Sequence, residues 1–178
     1  NLAPGVEYFV RAGFMTELGL GMQLESTPVS LAPPVQAPSA PRSRTAPSRA
    51  PSLYTTGDSS LQVTWQAPAF DGGSAVVKYK VEWDPSPMFD SVKSNDQGRP
   101  IAWAEVNVSP NQTYFVYDIP SVPLNGALFN GSTGDRITVH QRLSAGQRYF
   151  VRLSAFNALQ GFGEVSVTEP ESGIPASI

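Results

Sequence analysis

The chain has 178 residues, enough for one large domain or two small ones, with no cysteine and a formal charge of -3. Disulfides, thiolate nucleophiles and cysteine-based metal sites are thereby excluded, and nothing electrostatic recommends nucleic acid or an anionic membrane as partner. Charged residues make up only 15%, while Pro (17) and Gly (15) are plentiful, a mixture suited to short strands joined by many turns.

The sequence opens on Asn1, with no initiator Met, no charged-then-apolar leader and no apolar run of membrane-spanning length, so the chain is expected to be cut from something longer. Leu2, Gly5 and Tyr8-Phe9-Val10-Arg11 recur as Leu143, Gly146 and Tyr149-Phe150-Val151-Arg152, at an offset of 141. After a single-residue indel, Phe14, Gly19 and Gly21 match Phe156, Gly161 and Gly163. A match this dense means one element used twice, each time followed by a Gly-rich turn. Residues 1–26 are therefore expected to be the C-terminal strands of a preceding domain, and the second copy to close a complete one.

Residues 27–51 carry seven prolines among Ala and Ser, with few large apolar side chains. Such a stretch buries no core and favours polyproline II, so a semi-rigid linker is expected here. Arg42, Arg44 and Arg49 form a small basic cluster within it, read as solvated linker charge in preference to an anion site.

From residue 52 to about 172 the pattern has a period of two. Leu61, Val63 and Trp65 alternate with Gln62 and Thr64; Val77, Tyr79, Val81 and Trp83 alternate with Lys78, Lys80 and Glu82. Ala102–Val108 and Thr113–Ile119 also read as strands, and residues 120–135 as an insertion, with Pro123–Gly134 as its loop. Ile137 and Val139 alternate with Thr138 and His140, and Tyr149, Val151, Leu153 and Ala155 share one face of another strand. One apolar face per run predicts antiparallel strands in a two-layer, all-β sandwich without helices. Residues 173–178 would begin a further linker.

At these residues the chain resembles a fibronectin type III domain. Trp65 in Ser60-Leu-Gln-Val-Thr-Trp65 looks like the family's B-strand tryptophan, and Pro68–Ser74 with Val76–Trp83 is similar to its B–C turn and C strand. Leu143-Ser-Ala-Gly146-Gln-Arg-Tyr149, with Val151-Arg152 and Ala155-Phe-Asn157, looks like the E–F corner and F strand, and Gly161-Phe-Gly163 like the F–G turn. The resemblance implies an antiparallel, immunoglobulin-like sandwich whose core contains Trp65, Tyr79, Trp83 and Tyr149. Tyr149, and Tyr8 in the partial copy, would form tyrosine corners, the hydroxyl bonding back to upstream backbone. The missing cysteine pair argues against an immunoglobulin domain proper. The chain departs from the family in the extra length between Trp83 and Ile137, an enlarged middle segment.

Catalytic, cofactor and metal sites are not expected. The one histidine, His140, has no accompanying nucleophile motif. Asp84, Asp90, Asn95 and Asp96 do not match a calcium-loop spacing, and Gly161-Phe-Gly163 lacks the third glycine of a dinucleotide loop. Gly134-Asp135-Arg136 is not an Arg-Gly-Asp adhesion motif. Asn111-Gln-Thr113 and Asn130-Gly-Ser132 fit the N-glycosylation rule; Asn107-Val-Ser109 fits it weakly, because Pro110 follows. Trp103, Phe115, Tyr117 and Phe129 are candidates for an exposed aromatic patch, or for cover over a sandwich edge.

The expected function is that of a non-catalytic structural or adhesive module in a large extracellular or cell-surface protein, one that assembles into a filament or appendage. Its partners would be neighbouring domains, further copies, other extracellular proteins or glycans. Two alternatives accompany it: an intracellular giant-protein scaffold repeat, and an accessory domain of a secreted carbohydrate-active enzyme.

Overall fold

The computed structural model describes residues 2–94, 97–109, 111–119, 128–129, 136–137 and 143–176. Every regular element among them is a strand. The N-terminal part holds β1 (Tyr8–Ala12), the short pair β2 (Met15–Thr16) and β3 (Gly19–Leu20), and β4 (Leu24–Leu31), which returns antiparallel to β1. The main body follows with β5 (Ser52–Gly57), β6 (Ser60–Gln66), β7 (Val76–Asp84), β8 (Val92–Ser94), β9 (Gln97–Arg99), β10 (Ala102–Asn107) and β11 (Tyr114–Ile119). Then come β12 (Leu128–Phe129), β13 (Arg136–Ile137), β14 (Tyr149–Asn157) and β15 (Gly161–Gly173).

Two layers make the sandwich: β10-β7-β14-β15 on one side and β5-β6-β11 on the other. The layers are joined where Glu169 of β15 bridges in parallel to Ser52 of β5. Register explains the core. Phe115, Tyr117 and Ile119 of β11 lie opposite Trp65, Val63 and Leu61 of β6. Across the other layer Tyr79, Val81 and Trp83 lie opposite Ala155, Leu153 and Val151. On the β10 side Ala104 and Ala102 face Val81 and Trp83, so small residues make room for large neighbours. The two inward faces close around Trp65, which stands edge-on to Tyr79 at 5.5 Å and stacks on Phe115 at 5.6 Å.

Three expectations change in the structure. Phe115 is not an exposed patch residue; it is 1% exposed, because β11 pairs with β6 in a register that sets it against Trp65. Glu82, placed outward by the alternation, is buried nonetheless, since the Lys80 and Arg152 side chains fold over it with ion pairs of 2.8 and 2.7 Å. The linker expected over 27–51 starts inside strand β4 and later becomes part of the sandwich. Pro38, Pro41 and Ser43 in it are buried, and Arg42 exchanges backbone hydrogen bonds with Gln66. Proline blocks helix but not an extended edge segment, so a Pro-rich composition is compatible with packing on a sheet.

In the enlarged middle, Leu128 pairs with Ile137 and Phe129 with Arg136, an antiparallel pair between the expected insertion and the strand expected at Ile137. His140, Asn130, Asn95, Asp96 and the side chain of Phe129 lie outside the described residues.

Candidate functional site

The two sequence repeats fold alike in detail. Tyr8 Oη accepts a hydrogen bond from the Ala3 amide at 2.7 Å, and Tyr149 Oη accepts one from the Ser144 amide at 3.1 Å. Gly5 and Gly146 stand at the same corner with φ of 72° and 77°, a conformation that favours glycine. The correspondence then runs further than the sequence match. Gly5 donates to the Pro33 carbonyl at 2.8 Å, and Gly146 to the Pro175 carbonyl at 2.9 Å. Ser26 Oγ donates to Pro28 O, and Thr168 Oγ1 to Pro170 O, at 2.7 and 2.9 Å. Both of those prolines follow cis peptide bonds. The N-terminal copy thus extends through Pro33, and its last strand ends at Leu31, beyond residue 26. The sequence signal for this extension is sparse: Pro28, Ser30 and Pro33 match Pro170, Ser172 and Pro175 at the offset of 142, among otherwise mostly different residues.

Between the copies lies a short junction. Pro33 is tied to the first corner through Gly5, while Gln36 is tied to the sandwich: its amide donates to Gly72 O at 2.9 Å. Asn157, fully buried, clamps the same place, its Nδ2 donating to both Gln36 O and Asp71 O at 2.9 Å. Only Pro34 and Val35 separate the two anchors. Asp71 shapes the facing turn by accepting from the Gly73 amide at 2.8 Å. Gly72 and Gly73 have φ of 85° and 84°. A Cβ on Gly73 would come within 2.4 Å of Pro4 O, and one on Gly72 within 1.8 Å of Gln36 O. The turn therefore receives the first corner backbone to backbone, a contact only glycine admits.

The other candidates divide as follows. Trp65, Tyr79, Trp83 and Tyr149 are buried, and Tyr8 is half-buried. Burial pushes the Tyr79 hydroxyl up to about 12 and raises that of Tyr117. Arg42, Arg44 and Arg49 do not converge. Arg42 Nε donates to Ala67 O, Arg44 lies 4.0 Å over the Tyr114 ring, and Arg49 is 3.7 Å from Glu169. Asp84 is buried and accepts from the amides of Ser86, Ser91 and Ile101 and from Ser91 Oγ, so its lone pairs are used internally. Trp103 is half-buried beside Lys80, and Tyr117 packs near Trp83. On the outer face of β7 and β14, Lys78 pairs with Glu105 at 2.8 Å and lies 4.6 Å over Phe156. Its neighbours Lys80 and Arg152 both pair with Glu82, so each of these cations has a carboxylate partner. Asn111 and Thr113 are exposed, with Asn111 at the turn between β10 and β11 and a φ of 67°. Asn107 is exposed at the end of β10.

Residues 45–169 match the family model of the fibronectin type III domain. The chain belongs to the fibronectin type III domain family. Fibronectin type III domains are in general non-catalytic modules that mediate protein–protein interactions.

Among solved structures, the chain is similar to domains A168–A170 from titin at 16% identity and a TM-score of 0.41, covering 91% of this chain and 38% of that one. It is similar to domains d3–d4 of the rat CD45 extracellular region at 14% identity and a TM-score of 0.46, covering 98% and 66%. Chicken CNTN1 FN1–FN3 domains match at 14% identity and a TM-score of 0.42, covering 99% and 45%. The chain thus spans well under half the length of the titin structure it matches. None of these likenesses bears on ligand or location. Among the described residues no helix is long and apolar enough to cross a membrane.

Proposed function

We propose that this chain is a non-catalytic structural and adhesive portion of a large extracellular protein built from tandem fibronectin type III modules. The observation that carries the reading is the duplicated corner: residues 2–33 reproduce the final strands of the module completed at residues 143–175. In the complete copy Leu143 and Val151 are 3% and 0% exposed, whereas their counterparts Leu2 and Val10 are 60% and 57% exposed. Residues 1–33 are accordingly the end of a preceding module, and residues 36–176 the next one. Antiparallel strands resist extension, the short junction sets spacing, and exposed loops make lateral contacts, which suits assembly into a filament or appendage.

The extracellular part of the reading rests on the acceptor triplets at Asn111 and Asn130, the first of which is held out at an exposed turn. Mass spectrometry of peptides from the natural source, with and without an N-glycan-removing enzyme, tests it. Glycan at Asn111 or Asn130 is the expected result. Bare asparagines at full occupancy would overturn the extracellular assignment and favour an intracellular scaffold.

A further inference from the structure

We infer that the corner at Ser144–Gln147 is a docking surface for the Gly-Gly turn of a following module, and that the modules stack through one repeated, fixed junction. The inference rests on the tandem reading above and adds to it the surface, the partner and the stiffness. Its basis is a contact seen once among the described residues and a second surface built for the same contact.

The first corner is occupied. Pro4 O meets Gly73 so closely that no side chain fits between them, and the Cβ position of Gly5 lies 3.4 Å from Gly73 O and 3.1 Å from Val35 Cγ2. The second corner has the same build. Tyr149 holds Ser144, Gly146 takes the same left-handed conformation as Gly5, and Pro175 caps it as Pro33 caps Gly5. It differs in one respect: among the described residues, nothing lies within 4 Å of the Cβ position of Gly146. The surface that the first corner gives to Gly73 is open on the second, and the linker residue that sets the reach of the next module is already anchored.

The partner is defined by the contact itself. It must bring a turn with two consecutive glycines at positive φ, because any Cβ at the second one strikes the corner's carbonyl. It must also follow within about two residues of the capping proline, since a longer flexible tether would not hold the geometry. A module of this chain's own kind meets both conditions.

The test uses the full chain lengthened by one period, residues 1–173 followed by residues 32–178, which places a complete sandwich on each side of a junction. With no native cysteine, Asp58→Cys in both copies gives two unique sites for nitroxide labels. Pulsed electron-spin distance measurement is expected to give one narrow distribution. Gly73→Asn in the downstream copy should broaden it, because Asn tolerates positive φ but its Cβ collides with the upstream corner. Gly161→Asn, also at positive φ with open space around it, should leave it narrow.

A broad distribution in the unsubstituted chain, or a narrow one unmoved by Gly73→Asn, would overturn the docking surface. Both results leave the tandem reading standing if each sandwich melts cooperatively. Loss of that cooperative melt in the lengthened, unsubstituted chain would count against the tandem reading itself.

Discussion

Trp65 is fully buried between the layers, yet its indole Nε1 has no hydrogen-bond partner, the one such buried side-chain atom among the described residues. Its stabilisation is therefore packing alone, and the orphaned N–H subtracts from it. Trp65→Ala should cost about 3–5 kcal/mol through the cavity it leaves. Trp65→Phe should cost clearly less, since it removes the unpartnered donor along with part of the ring; equal denaturation midpoints for the two variants would contradict this. Tyr79 supplies a pH signature. Its hydroxyl ionises near 10.0 when unfolded and only at about 12 in the sandwich. The unfolded chain releases the proton first, so this stabilisation is whole below pH 10, shrinks as pH rises and is gone above 12. Urea midpoints compared on the two sides of pH 10 should fall with alkalinity, and Tyr79→Phe should flatten that fall. At this scale the aromatic core was legible, because Trp65, Tyr79, Trp83 and Tyr149 each sit on a period-two face. The burial of Glu82 was not, since alternation sees one strand and Arg152 comes from another.

Between β7 and β10 the chain is held by Asp84, whose buried carboxylate collects amides from Ser86, Ser91 and Ile101. A single side chain thereby fixes both ends of the segment that carries β8 and β9. Asp84→Ala should strand those donors and destabilise the domain by about 3 kcal/mol or more. Hydrogen exchange should show it first at the Ile101 amide; unchanged protection there would contradict the assignment. Strands β6, β7, β10, β11 and β14 were readable from the sequence, and so was the hairpin turn at Gly161, whereas short β8 and β9 were not. The linker was misread for a physical reason. Composition reports what a segment is unable to bury, whereas residues 36–43 are held mainly through backbone atoms and buried prolines on a neighbouring sheet. Composition is blind to such anchoring. Between the anchors at Pro33 and Gln36 only Pro34 and Val35 intervene.

Over the whole molecule, the seven-stranded sandwich stands beside the two-stranded β1-β4 pair, which the proposed tandem organisation reads as the closing strands of another module. The family was legible from the tryptophan, the turn glycines and the tyrosine corners, and the match over residues 45–169 agrees. The reach of the repeat to Pro33 and Pro175 has a sparse sequence signal, Pro28, Ser30 and Pro33 against Pro170, Ser172 and Pro175, which only the shared hydrogen bonds make clear. The same geometry explains why glycine occupies position 73, where the Pro4 carbonyl fills the space of a side chain.

Hydrogen exchange of the full chain, read by mass spectrometry as protection per strand, tests the tandem organisation most directly. Strands β6, β7 and β14 should exchange only on global unfolding of the sandwich, because they form its centre. Strands β1 and β4 form a two-stranded sheet whose counterpart face is buried in the complete module, so they should exchange faster and independently. Protection of β1 and β4 at the same level as β14 would mean that residues 2–31 belong to the same cooperative unit, and the tandem organisation would be contradicted.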